Sequence, residues 1–89
     1  SKNASINLMY PLENRVASYI ISIGTDKNSE IIKFDETLTV ISELLGTSYR
    51  HLLRTLNRLC NKNILKKEED YYIIIDYKNL EELAADIYS

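Results

Sequence analysis

The sequence predicts an α+β fold that is mainly α: a three-helix core, a small antiparallel β-hairpin and a C-terminal helix. Three observations predict it. Apolar residues recur at spacings of three and four in several separate segments, the mark of amphipathic helices. A glycine, Gly46, sits between two of those segments, where the chain must turn sharply. Two β-prone runs then flank a short acidic stretch, as the arms of a hairpin flank its tip. At 89 residues the chain has room for one core and not for two.

The first helix opens at Pro11, a residue suited to a first turn, and runs from Leu12 to Ile23. Leu12, Val16, Ala17, Tyr19, Ile20 and Ile23 form its apolar side, and Gly24 is expected to stop it. The polar residues Thr25 to Ser29 read as a loop, and the β-branched run Glu30 to Phe34 reads as a strand. Asp35 or Thr37 can cap a second helix, about Leu38 to Leu45, with Val40, Ile41, Leu44 and Leu45 as its apolar stripe. Gly46 supplies the left-handed turn, and Thr47 and Ser48 offer hydroxyl caps to a third helix from Tyr49 to Asn61.

That third helix has two chemically distinct sides. At helical spacing Leu52, Leu53, Leu56, Leu59 and Cys60 share an arc of roughly 120°, while Arg50, His51, Arg54, Arg58 and Lys62 occupy the other side. Ile64 to Lys67 and Tyr71 to Ile75 form the hairpin around Glu68-Glu69-Asp70. Asp76 to Asn79 turn the chain into a last helix, expected beside the hairpin, with Leu80, Leu83, Ala84 and Ile87 on its buried side.

Charge is segregated along the chain. The net charge of −2 argues against a polyanionic partner, but Leu44 to Lys67 holds Arg50, Arg54, Arg58, Lys62, Lys66 and Lys67 and no acid. This window carries +6 against −8 for the remainder, so it is expected to face an anion rather than to be an ordinary mixed surface. Other functions find little footing. No apolar run nears the roughly 20 residues that span a bilayer and the start has no signal-peptide core, so a cytoplasmic protein without membrane contact is expected. One cysteine and one histidine cannot close a zinc site, and Cys60 reads as a buried, inert thiol. His51 has no nucleophile or carboxylate beside it and no glycine loop could cradle phosphate, so neither catalysis nor a cofactor is expected. Glu68-Glu69-Asp70 and Glu81-Glu82 read as solvated charge, and Tyr19, Tyr72 and Tyr88 as packing residues.

Helix, strand, helix, glycine turn, basic helix and hairpin follow in the order of a winged helix-turn-helix, whose second helix enters the DNA major groove. Arg50 and Arg54 lie one turn apart near the start of that helix, where the guanidinium fork can bond guanine O6 and N7, and Tyr49 can reach DNA beside them. His51, Arg58 and Lys62 are placed for phosphate contact or general attraction, as are Lys66 and Lys67 on the hairpin.

Leu44-Leu45-Gly46-Thr47-Ser48-Tyr49-Arg50-His51-Leu52-Leu53-Arg54-Thr55-Leu56 resembles the helix-turn-helix of the Crp/Fnr regulators, and the likeness runs from Leu12 to about Leu83. Asn14-Arg15-Val16-Ala17 looks like that family's opening helix, and Tyr10-Pro11-Leu12-Glu13-Asn14-Arg15 is similar to its YeiL-type branch. The resemblance implies that Arg54 is a base-reading arginine and that Thr37 and Ser48 touch phosphate at the starts of the two helices. Arg50 stands where many members have a base-reading glutamate, which sets their half-site aside for this chain, and the acidic hairpin tip makes Lys66 and Lys67 better phosphate contacts than the tip itself.

The resemblance further implies a division into 1–10, a hinge or the end of a dimerisation helix, and 11–89, the DNA-binding domain. An opening without Met reads as a piece of a longer protein whose N-terminal sensor domain would hold any effector. The implied partners are double-stranded DNA, a second copy in the full-length protein, and RNA polymerase. The alternative is a winged-helix module that binds protein and not DNA, since fold does not dictate partner.

Overall fold

The computed structural model describes residues 9–27 and 30–88. The elements are α1 (Leu12–Lys27), β1 (Ile31–Ile32), α2 (Leu38–Leu44), α3 (Tyr49–Asn61), β2 (Leu65–Lys67), β3 (Tyr72–Ile74) and α4 (Tyr77–Tyr88). The strands form an antiparallel sheet in the order β1-β3-β2, with Ile31 opposite Ile73 and Lys67 opposite Tyr72. The fold is the mainly helical winged arrangement that the sequence predicts, with a third strand added to the hairpin. Most of the proposed hinge, 1–8, lies outside the described residues.

One core joins all the layers. Val16, Ala17 and Ile20 of α1 meet Ile41 and Leu45, then Leu52, Leu56 and Leu59 of α3, Ile32, Leu65 and Ile74 of the sheet, and Leu80 and Ala84 of α4. Burying a large aliphatic side chain of this kind contributes about 1.5–3 kcal/mol, so the core fixes how α3 is presented.

Several boundaries differ from the sequence reading, each for a physical reason. Helix α1 passes through Gly24 to Lys27, so Thr25 to Lys27 are helical and not loop. Glycine costs a helix only about 1 kcal/mol, and Gly24 is buried behind three turns already anchored in the core. The strand expected over Glu30 to Phe34 shrinks to Ile31–Ile32, because Phe34 leaves the ladder to sit between Tyr19 and Tyr72, with ring centroids 6.1 and 5.9 Å away.

On α2 the apolar stripe is misassigned: Val40 is 36% and Leu44 59% exposed, while Ile41, Ser42 and Leu45 are buried. Ser42 tolerates that position because its hydroxyl donates to the Thr39 carbonyl at 2.7 Å. Tyr77 to Asn79 form the first turn of α4 and not a separate turn, because Asp76 accepts the Asn79 N–H at 3.1 Å as a cap. Helix α4 packs along α1 and not across the hairpin, with Asn14 Nδ2 donating to the Leu83 carbonyl at 2.9 Å. The Ile87 side chain lies outside what is described.

Candidate nucleic-acid interface

Two caps and one turn present α3. Thr37 caps α2, its Oγ1 accepting the Val40 N–H at 3.2 Å, and Ser48 caps α3, its Oγ accepting the His51 N–H at 3.0 Å. Between them Gly46 has φ 72°, in the left-handed region that glycine enters at no steric cost. The Gly46 N–H reaches the Glu43 carbonyl at 3.1 Å and the Thr47 N–H the Ser42 carbonyl at 2.8 Å. This paired pattern is a Schellman motif, which satisfies the last carbonyls of α2 and sets the angle to α3. The same motif recurs where α3 ends: Asn63 has φ 61°, its N–H donates to the Cys60 carbonyl at 2.9 Å, and the Ile64 N–H donates to the Leu59 carbonyl at 3.0 Å. The recognition-like helix is thus held at both ends.

Its two sides separate as the spacing predicts. Leu52, Leu56 and Leu59 are buried and Leu53 and Cys60 half-buried, whereas Arg50, His51, Arg54 and Arg58 are exposed. Thr55 is also buried, its hydroxyl donating to the His51 carbonyl at 3.0 Å. The His51 ring is steadied by Thr47, whose Oγ1 lies 3.3 Å from Nδ1. Tyr49 is half-exposed and stands off to the side of the arginines, about 100° around the helix from Arg50. It borders a groove of about 360 Å³ shared with Phe34, Leu38, Leu53, Lys67 and Tyr72, between α3 and the hairpin.

The six cations of the basic window fall into two groups. Arg50, Arg54 and Arg58 make no ion pair among the described residues. The lysines are engaged. Lys62 Nζ lies 2.7 Å from Glu13 Oε2 on α1, and Lys66 Nζ 3.3 Å from Glu68. Lys67 Nζ donates to the carbonyls of Glu68 and Glu69 at 3.1 and 3.5 Å and sits 5.3 Å from the centre of the Tyr72 ring. Thr37, Ser48, Tyr49, Arg50, His51, Arg54 and Arg58 therefore belong to the helix-turn-helix surface, while Lys62 faces α1 and Lys66 and Lys67 stay on the hairpin.

Sequence reasoning missed a polar pair on α1: Asn14 and Arg15, at 7% and 8% exposure, are buried. Their neighbours in sequence, Val16 and Ala17, signalled a core-facing turn, but two of the acceptors that tolerate their burial, Leu45 for Arg15 and Leu83 for Asn14, lie far along the chain. It also passed over Asn57 and Asn61, exposed on the arginine side of α3, which helical spacing alone could have shown. Burial pushes the Cys60 thiol up from its ordinary pKa, against an opposing hydrogen bond from the Lys67 backbone and that residue's charge. Burial likewise raises Tyr72, whose buried hydroxyl has no hydrogen-bond partner among the described residues. Among the described residues no cluster of three or more His, Cys, Asp or Glu could hold a metal, and no helix is long and apolar enough to cross a membrane.

Comparison with known proteins agrees with this geometry. Residues 14–83 match the family described as the Crp-like helix-turn-helix domain. The chain is similar to the regulatory protein YeiL of Escherichia coli O157:H7, 35% identical over 81 residues that cover 91% of this chain and 35% of that protein. It is similar in structure to a transcriptional regulator assigned to the Crp/Fnr family from Eubacterium rectale, with a TM-score of 0.78 and 25% identity over 88% of this chain and 36% of that one. The catabolite activator protein of Thermus thermophilus shares the fold, with a TM-score of 0.71 and 21% identity over 85% of this chain and 35% of that one. The chain spans about a third of the length of these relatives.

Proposed function

Because the chain belongs to the Crp-like helix-turn-helix family, the DNA-binding domain of transcription regulators, we propose that it reads double-stranded DNA in a sequence-specific manner by laying α3 in the major groove. The observation that carries this reading is the set of three arginines, Arg50, Arg54 and Arg58, exposed on a doubly capped helix and left without an ion pair among the described residues. Arg50 and Arg54 are one turn apart near the helix start and are assigned base edges, with Tyr49 touching the groove wall beside them. Thr37 and Ser48 accept hydrogen bonds as caps while their hydroxyl protons stay free to meet phosphate, and His51 and Arg58 are assigned phosphate too. Lys62, Lys66 and Lys67 can join only by giving up the partners described above.

We read the chain as part of a cytoplasmic regulator and not as an enzyme. Its effector would bind elsewhere in a longer protein, which would pair as a homodimer on half-sites roughly 34 Å apart and engage RNA polymerase.

The test is fluorescence anisotropy on a duplex selected from a random pool and on its scrambled counterpart. Arg54→Ala is expected to cost about 1–3 kcal/mol on the selected duplex and to erase preference at one base pair. An equal loss on both duplexes would assign base reading to the wrong residue. One observation favours the protein-binding alternative: Val40 and Leu44 leave an apolar strip open on α2. If Arg50→Ala and Arg54→Ala both leave DNA affinity unchanged, that alternative replaces the DNA reading.

A further inference from the structure

Arg15 is charged, lies in the middle of the first turns of α1, and is 8% exposed. Among the described residues no carboxylate pairs with it. Its donors go to two backbone carbonyls that are distant from one another in sequence. Nε donates to the carbonyl of Tyr10 at 3.1 Å, and Nη1 donates to the carbonyl of Leu45. Burial lowers the pKa of the group, yet a guanidinium stays protonated, so a full positive charge is held there against carbonyl dipoles.

Each acceptor has a structural meaning. Leu45 is the C-cap of α2, where carbonyls have no partner within the helix and the helix dipole presents its negative end. A buried cation at that point is favourable in the same way as a basic residue in a last helical turn. Immediately after Leu45 come Gly46, Thr47 and Ser48, the turn and cap that aim α3. Tyr10 is the residue before Pro11, where the chain approaches α1. A side chain that pairs with a carboxylate fixes another side chain, but one that binds carbonyls fixes backbone. The planar fork of Arg15 does this from two separate nitrogens, Nε and Nη1, whereas a lysine would need both carbonyls to converge on one nitrogen.

We propose that Arg15 is a positioning residue for DNA reading: it ties the segment approaching α1 to the turn between α2 and α3, so that the path of one and the projection of the other are set together. The proposal rests on the DNA-reading function above. It differs from a plain packing role in what should move when the fork is lost. Removing general packing loosens the whole core, whereas removing the tie loosens its two ends.

The test uses the 89-residue chain with Arg15→Lys, which keeps the charge, and Arg15→Met, which keeps the bulk. Backbone amide exchange and relaxation are followed by NMR alongside anisotropy on the selected and scrambled duplexes. Both variants are expected to show exchange about tenfold faster at Gly46 and Thr47 and greater motion at Tyr10, as loss of a charged hydrogen bond would give, with Leu80 on α4 unchanged. Preference for the selected over the scrambled duplex should fall by about tenfold in both, while affinity for the scrambled duplex, which depends on phosphate contact, holds. Failure of lysine to rescue is the signature of the fork. The proposal is overturned if Arg15→Lys matches wild type in exchange and preference, or if exchange rises evenly along the chain. A wild-type chain that prefers no duplex would refute the DNA reading separately, and the joint loosening of Tyr10 and Gly46 would still decide whether Arg15 ties them.

Discussion

Helix α3 and the hairpin carry equal numbers of neither charge nor opportunity, although both lie in the same basic stretch of sequence. On α3 the cations are arginines on a rigid, capped helix, with no acidic partner among the described residues. On the hairpin Lys66 meets Glu68, and Lys67 is folded onto the carbonyls of Glu68 and Glu69 above the Tyr72 ring. At the far end of α3, Lys62 meets Glu13 from a different helix. A run of positive sequence is therefore not a uniform positive surface. What an approaching phosphate encounters depends on which cations are already engaged, by a carboxylate or by carbonyls, and within this window that separates arginine from lysine.

The comparison breaks most visibly in stability. The arginine face is held out by a buried underside, so Leu56→Ala, at a fully buried position, should cost about 2–5 kcal/mol in urea unfolding. Ile73→Ala on the outer side of β3, only half-buried, should cost much less. Equal losses would mean that the hairpin is as much a part of the scaffold as α3 is.

A second prediction sharpens the contrast within α3 itself. Arg58→Ala removes a cation that makes no ion pair among the described residues, and the salt dependence of DNA binding should fall by about one unit of slope. Lys62→Ala should lower it by less, because the same change frees Glu13, and exposed pairs of this kind contribute only about 0–1 kcal/mol to stability. If both substitutions reduce the slope alike, Lys62 leaves Glu13 whenever DNA is bound.

Which parts of this arrangement were legible follows from the range of the interactions. The register of α3 was readable because Leu52, Leu56 and Leu59 repeat at helical spacing and because Gly46 and Ser48 signal its start within a few residues. The stripe on α2 was misread because Ser42 takes a core position by bonding its own helix, a local trick that hydrophobicity does not reveal. The extension of α1 through Gly24 depends on tertiary burial, which overrides propensity. Arg15 and Leu45, and likewise Lys62 and Glu13, meet only once the helices pack. For the candidate site, sequence identified which residues bear charge, and only the fold showed which of those charges are already paired.

The smallest expected effect lies at the hairpin tip and bears on whether the wing is held back from DNA by its own acids. Lys66 Nζ is 3.3 Å from Glu68 Oε2, with Lys66 exposed on β2 and Glu68 partly exposed just after it, so this surface pair adds little to folding and Glu68→Gln should leave the unfolding midpoint nearly unchanged. Its effect should appear in binding. Removing one negative charge from the tip releases Lys66 and reduces repulsion toward a phosphate backbone, so affinity for every duplex should rise slightly and the salt slope should steepen by up to about one unit. The gain should be the same on the selected and scrambled duplexes, because phosphate contact carries no sequence information. Lys66→Ala in the Glu68→Gln background should then return the slope to its starting value. A slope that stays unchanged in Glu68→Gln would place the wing out of reach of DNA and leave the arginines of α3 as the principal electrostatic contact.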